Sequence, residues 1–329
     1  MEASHNLTES SAPSKGPPSE TRPTESSVTL TSRPTAFLVF VIALTAVFGR
    51  ALYSVFASAL GSEPNSDLNS YIILIPFVSL YLLYVDRTRF SRSYQSNFVW
   101  AALLLVAGAG ALIFLLAGFD RTAGLSSNDR MSVMMFAFVT LLWAGGFIFL
   151  GRRWMANAAF PMFFLIFLIP LPDQIVYWME LGLKLLSAEA ASLFFALTGT
   201  PVLRTGRIFQ LPGITLEVAQ ECSGIRSSWV LFITSLVAAH LFLTKRWSKW
   251  ILISAVVPLG ILRNGFRIMV IGLLCVHVDP SMIHSVIHRR GGPIFFALSL
   301  IPLLLLLWFL RKREVAPASF PRSNAPAGK

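Results

Sequence analysis

A series of long apolar runs limits what this chain can fold into more than any other feature. About 20 apolar residues in a helix cross the roughly 30 Å hydrocarbon core of a bilayer. Eight stretches approach or exceed that length: 36–56, 70–85, 97–117, 131–150, 156–171, 224–243, 250–271 and 293–310. The second and fifth are the short ones. With 55% hydrophobic and only 13% charged residues, the chain does not have the composition of a soluble globular domain. The expected fold class is an all-α polytopic membrane protein of about eight transmembrane helices. A ninth apolar stretch, 175–197, carries Glu180, Lys184 and Glu189. It is expected to form an amphipathic helix along the surface, tucked between spans.

The flanks differ in kind. Residues 1–35 are rich in Ser, Thr and Pro, a composition that cannot bury enough surface to order itself, so a disordered cytoplasmic tail is expected. Residues 36–310 form the transmembrane domain, and 311–329 a basic cytoplasmic tail. Ala57-Ser58-Ala59 has the look of a signal-peptidase site. The polar region and apolar run before it are too long for an ordinary signal peptide, so the first span is expected to remain as an anchor.

The net charge of +11 raises nucleic acid as a partner, and the placement of that charge argues against it. Arg87, Arg89 and Arg92, then Arg152 and Arg153, then Lys245, Arg246 and Lys249, then Arg311, Lys312 and Arg313 occupy alternate loops. The first intervening loop, near Glu63 and Asp67, has none. This is the positive-inside pattern, with both termini cytoplasmic.

Topology converts into height. At ~1.5 Å per residue, about 20 residues back from Lys245 reaches Ile225, so Cys222 falls just outside the hydrocarbon on the extracytoplasmic face. The seventh run, anchored by Lys249 and Trp250, exits near Met269. Arg267 therefore sits in its last outer turn and Arg263 one turn deeper. Arg311 anchors the eighth run, whose outer end falls near Gly291, with His288 about one turn above. Three helices thus deliver Cys222, Arg267 and His288 to one height. An intramembrane arginine costs at least ~2.5 kcal/mol and usually faces a cavity or partner. Arg263 and Arg267 share a helix face, and Asn264 adds hydrogen-bonding capacity beside it. A structural pair bonded to carbonyls, or to Glu217 and Glu221, is the plainer reading of the two arginines taken alone.

These residues resemble the motifs of the exosortase/archaeosortase family of membrane-embedded cysteine transpeptidases. Glu221-Cys222-Ser223-Gly224-Ile225-Arg226-Ser227 is similar to the family's cysteine motif. Arg263-Asn264-Gly265-Phe266-Arg267-Ile268 resembles its arginine motif, and His288-Arg289-Arg290-Gly291-Gly292 followed by Phe295 its histidine motif. Weaker similarity runs through Leu74-Ile75-Pro76, Ile169-Pro170-Leu171-Pro172 and Gly199-Thr200-Pro201-Val202. His284 rivals His288 one helical turn earlier, and His277 also lies near the outer face. His240, near the cytoplasmic end of its span, is read as a packing residue.

The resemblance implies a catalytic set of Cys222, Arg267 and His288, with Arg263, Glu221, Arg226 and His284 in supporting positions. Cys222 would attack a peptide carbonyl as its thiolate, favoured by the helix that Gly224 opens and by Arg226 one turn along it. His288 would act as acid and base, and Arg267 would hold the oxyanion. The implied partners are C-terminal sorting-signal tails of secreted proteins, of the PEP-CTERM type in bacteria, often in makers of extracellular polysaccharide. An acceptor nucleophile (lipid, glycan or water) is also implied. The implied location is the bacterial cytoplasmic (inner) membrane, and a histidine in the third motif resembles bacterial members more than archaeal ones.

Just before the cysteine, 207–211 and 214–218 alternate in polarity around Pro212-Gly213, the signature of a short extracytoplasmic hairpin. It would cover the site, hold the cleavage segment by edge pairing, or serve as a plain surface loop. Three alternatives stay open, a purely structural membrane scaffold among them. Cys222 and Cys275 would pair as a disulfide if their Cα atoms lie within about 7 Å. A transporter or polysaccharide-handling membrane protein would use Arg263 and Arg267 to bind an anionic substrate, although no inverted repeat is visible. The two cysteines and scattered histidines lack metal-ligand spacing, and no glycine-rich nucleotide loop is present, so no cofactor is expected.

Overall fold

Each apolar run becomes helical, and the places where helices bend carry the information the runs did not. The structure, a computed structural model, describes residues 29–61, 69–90, 95–117, 124–217, 224–279, 281 and 292–315. Among the described residues, six helices are long and apolar enough to span a membrane, or up to eight if each of two bent helix pairs counts as one span. The chain is an all-α polytopic integral membrane protein with one small sheet.

The first run is not one straight helix. Helix α1 (Thr29–Val47) and α2 (Gly49–Ala59) diverge by 69°, so the run expected as a span over 36–56 is bent at Phe48. Arg50, Tyr53 and Ser54 are exposed on α2, while Val55, Ser58 and Ala59 turn inward. A straight continuation would carry that arginine along the hydrocarbon at a cost of several kcal/mol. Helix α1 also begins ahead of residue 36.

A 3₁₀ turn (Ser70–Ile73) leads into α3 (Leu74–Val85), which ends in a second 3₁₀ turn, Asp86–Arg89. Helices α4 (Phe98–Ala117) and α5 (Ser127–Phe149) pack antiparallel. A Cβ on Gly108 of α4 would stand only 2.8 Å from Thr140 Oγ1, so the absence of a side chain permits the contact. Ser126 caps α5, its hydroxyl accepting from the Asp129 N–H at 3.0 Å.

The fifth run folds as the end of α6 (Gly151–Asn157), α7 (Ala159–Phe164) and a 3₁₀ turn, Leu165–Leu168. After Pro170 and Pro172, helix α8 (Asp173–Leu197) leaves at 92°. Proline denies the helix a donor and biases the preceding residue away from helical geometry. The backbone freed at the bend is taken up by α5. Asn128 Nδ2 donates to the Leu171 carbonyl and to Asp173 Oδ1, both at 2.7 Å. Ser132 Oγ donates to the Pro170 carbonyl at 2.8 Å, and Asp129 Oδ1 accepts from the Asp173 N–H at 2.9 Å.

Helix α8 is the ninth stretch, with its polarity turned round. Ser187, Ala188, Ala191 and Phe195 are buried, while Ile175, Tyr177, Trp178, Leu185, Leu186, Leu193 and Leu197 are exposed. Glu180 and Lys184 lie inward and pair with each other at 3.4 Å, with side chains 12% and 13% exposed. The outer face is thus largely apolar, with Glu189 exposed on it, while the two inward charges satisfy each other one turn apart.

Strands β1 (Leu203–Thr205), β2 (Ile208–Leu211) and β3 (Ile214–Glu217) form an antiparallel sheet in that order. The hairpin is as expected, with β1 added. Helices α9 (Ile225–Phe242), α10 (Arg246–His277) and α11 (Gly292–Val315) complete the fold.

Helix α9 stands between two groups of helices. Trp229, Phe232 and Ile233 pack on the cluster of Tyr71, Phe164 and Phe167. Leu231, Ala239 and Leu243 pack with Leu252 and Val256 of α10 and Leu303 and Leu307 of α11. At the lower end of α9, His240 Nε2 lies 2.9 Å from Asp86 Oδ2. The imidazole stacks on Phe160 with centroids 3.9 Å apart. His240 is therefore packed, as expected, and also paired. Nearby, Glu314 at the end of α11 accepts from the backbone N–H groups of Thr244 and Lys245 at 2.7 and 3.0 Å. That carboxylate closes the α9–α10 turn and faces the positive end of α10.

Candidate active site

The upper end of the bundle is built where α9 begins. Gly224 immediately precedes that helix with φ +66°, a left-handed conformation that costs an L-residue roughly 1–2 kcal/mol. A Cβ there would also meet Arg263 Nη2 and Asn264 Oδ1, each at 3.0 Å. Conformation and space both require glycine at this position of the cysteine motif.

Arg263 is 7% exposed and Asn264 2%. Arg263 Nη2 donates to the Gly224 carbonyl and to Ser228 Oγ, both at 3.1 Å. The same carbonyl accepts the first helical bond of α9 from the Ser228 N–H at 3.0 Å. The guanidinium thus grips the first turn of α9 from the neighbouring helix. Close approach is possible because Gly260 faces Ser228, where a Cβ would stand 2.8 Å from the hydroxyl. Nη1 of Arg263 is buried and has no hydrogen-bond partner among the described residues. The same holds for Ser187 Oγ.

Arg267 is half-buried one turn above Arg263, and Arg226 is exposed on the first turn of α9. Their charges add to the positive end of the α9 dipole, so this corner of the protein favours an anion. Phe266, beside Arg267, meets Phe295 of α11 edge-on at 6.4 Å. The arginine-bearing turn of α10 therefore lies level with the first turns of both α9 and α11.

Cys222, Glu221, His284 and His288 lie outside the described residues. What the structure brings together is the frame that flanks them: Gly224 after the cysteine, Arg263 and Arg267, and the start of α11 after the histidines. His277 is exposed at the top of α10, its Nδ1 within 3.1 Å of the Leu273 carbonyl. Cys275 is buried among Phe195, Phe209, Leu211 and Ile271, and its possible pairing with Cys222 has one partner outside the described residues. Among the described residues, no three His, Cys, Asp or Glu side chains gather as a metal site would require.

Sequence reasoning did not single out Ser228. Its signal was present: a small polar residue one turn after the motif glycine, on the face toward Arg263. Behind the site, α8 and α10 pack almost backbone to backbone. A Cβ on Gly265 would stand 2.6 Å from Ala190 Cβ and 2.9 Å from the Ala191 nitrogen. The arginine turn is thus wedged between α8 and α9.

A family profile, transmembrane exosortase, matches residues 63–305. The chain belongs to the transmembrane exosortase family. Comparisons with curated proteins and with solved structures returned no match. The matched region of this exosortase contains the cysteine, arginine and histidine motifs together with the frame described above.

Proposed function

We propose that this exosortase is a cysteine transpeptidase that cleaves C-terminal sorting signals of secreted proteins through a thioester on Cys222. The observation that carries the reading is the grip of Arg263 on the first turn of α9. Cys222 is two residues from Gly224, so chain connectivity keeps their Cα atoms within about 7 Å. That tether holds the sulfur close to a helix N-terminus and to the guanidiniums of α10, a setting that favours a thiolate.

In the proposed reaction the thiolate adds to the scissile carbonyl, and the oxyanion develops toward Arg267. The C–N bond breaks, the leaving amine takes a proton from the His288 imidazolium, and the tail departs. The neutral imidazole then removes a proton from the acceptor nucleophile, which attacks the thioester and releases the thiolate. Arg263 holds the turn rather than touching the substrate, Arg226 adds charge, and His284 and Glu221 are supporting residues. The site faces the extracytoplasmic side of a bacterial inner membrane with both termini cytoplasmic, a reading supported by the alternate placement of Lys and Arg. A substrate whose tail helix is held by its own basic end would present its outer junction at this level.

The test is processing of a secreted reporter bearing a sorting-signal tail, with wild type and Cys222→Ser in the same host. Loss of cleavage in the variant at equal membrane levels is the expected result. Full cleavage by Cys222→Ser would remove the nucleophile from the proposal and return the arginines to anion binding.

A further inference from the structure

Among the described residues, the small sheet has an outer edge, on β3, that no strand pairs. Pro212 and Gly213 join β2 to β3 in a two-residue turn, with Gly213 at φ +82° and Leu211 opposite Ile214. Proline followed by a positive-φ glycine suits a type II turn. In such a hairpin the pair closing the turn exchanges both backbone hydrogen bonds, and pairs then alternate between bonded and non-bonded. Leu211–Ile214 and Phe209–Leu216 are therefore the bonded pairs. Gln210–Thr215 and Ile208–Glu217 are the non-bonded ones. The register on the far side of β2 agrees: Thr205–Ile208 closes another two-residue turn, and Leu203–Gln210 follows.

Thr215 and Glu217 consequently turn their backbone N–H and C=O groups away from β2. No strand among the described residues lies on that side. The edge is also rigidly seated. Phe209, Leu211 and Leu216 are buried beneath the sheet with Phe195, Ile268 and Ile271. Leu211 packs at Gly272, where a Cβ would stand 3.2 Å from its Cδ1. Arg204 on β1 forms a fork with Glu189 of α8 at 2.7 and 2.8 Å. An exposed edge is a template for another peptide, and proteins usually blunt one with proline or lysine. Ile214-Thr215-Leu216-Glu217 has neither.

We infer that the free edge of β3 binds the extended segment of the substrate at the scissile junction, by backbone pairing with Thr215 and Glu217. The occupant follows from continuity. β3 ends at Glu217, and the five residues from there to Cys222 span at most about 18 Å. A peptide paired on the edge is thereby carried toward the thiol. Backbone pairing supplies affinity with little sequence demand, which suits an enzyme acting on many tails. This inference rests on the proposed cysteine chemistry.

The experiment uses the full chain in membranes with a tailed reporter. Thr215→Pro removes one outward N–H and no β2–β3 bond, and proline is tolerated on strand edges. Thr215→Val keeps the N–H. Thioester formation on Cys222 should fall at least about tenfold in Thr215→Pro and stay within about twofold in Thr215→Val. Alkylation of Cys222 by iodoacetamide should be unchanged in both. A Thr215→Pro enzyme at the wild-type rate would overturn the inference. If that variant loses alkylation too, reporters N-methylated at successive backbone positions before the junction decide instead. Loss at alternate positions supports edge pairing, and uniform rates overturn it. A wild-type chain that forms no thioester sinks the enzymatic reading. Photocrosslinking of the reporter from position 215 then judges the edge separately: a crosslink supports it and none refutes it.

Discussion

Arg263 Nη2 lies 3.1 Å from the carbonyl oxygen of Gly224, 39 residues earlier in the chain. One side chain thereby joins the arginine motif to the cysteine motif inside the upper end of the bundle. The contact gives Arg263 a structural role in fixing the turn, while the proposed mechanism assigns the oxyanion to Arg267, one turn nearer the end of α10.

That division sets the first expectation. Arg263→Lys keeps a charge but loses the planar fork that reaches both Gly224 and Ser228. Hydrogen bonds to charged groups are worth about 1.5–3 kcal/mol, so thioester formation should fall by about one to two orders of magnitude. Ser228→Ala removes only one of the two acceptors and should cost several-fold at most. Rates for the two variants measured with one tailed reporter check the order, and equal losses would contradict it.

Arg267→Lys should cost almost as much as Arg267→Ala, about 10²–10³ in rate, if directional bonds to the oxyanion matter. Single-turnover cleavage is the measurement. A fully active Arg267→Lys enzyme would leave only generic charge as the role of that residue.

Gly224→Ala combines left-handed strain of about 1–2 kcal/mol with a Cβ pressed against Arg263 and Asn264. The expected outcome is slower alkylation of Cys222 and slower cleavage together, because the substitution disturbs the start of α9 two residues after the cysteine. Unchanged alkylation kinetics would mean that the turn does not set the environment of the sulfur.

At the opposite end, Asp86 and His240 hold α9 to α3. Asp86→Asn and His240→Ala should each lower thermal stability in detergent by about 1–3 kcal/mol. The double variant should lose less than the sum, because the two residues share one interaction. Strict additivity would show that the pairing carries no energy of its own.

The spans were legible because apolar runs of the required length leave few other folds. The frame of the site was legible because charged residues four apart in an apolar helix, and a glycine ahead of another, have few explanations. The bend at Phe48 was hidden by the small number of polar residues that cause it. The inward Glu180–Lys184 pair was hidden because hydropathy patterns assign charges to the outside. His240 looked solitary because its partner Asp86 is 154 residues away. No local pattern announces such a contact.

The most direct test is mass spectrometry of the Cys222 peptide after brief incubation of the full chain with a tailed reporter. The expected result is a mass increase on Cys222 equal to the reporter's N-terminal part, lost on treatment with hydroxylamine and absent from Arg267→Ala. Tail release with Cys222 unmodified at every time point would contradict the account.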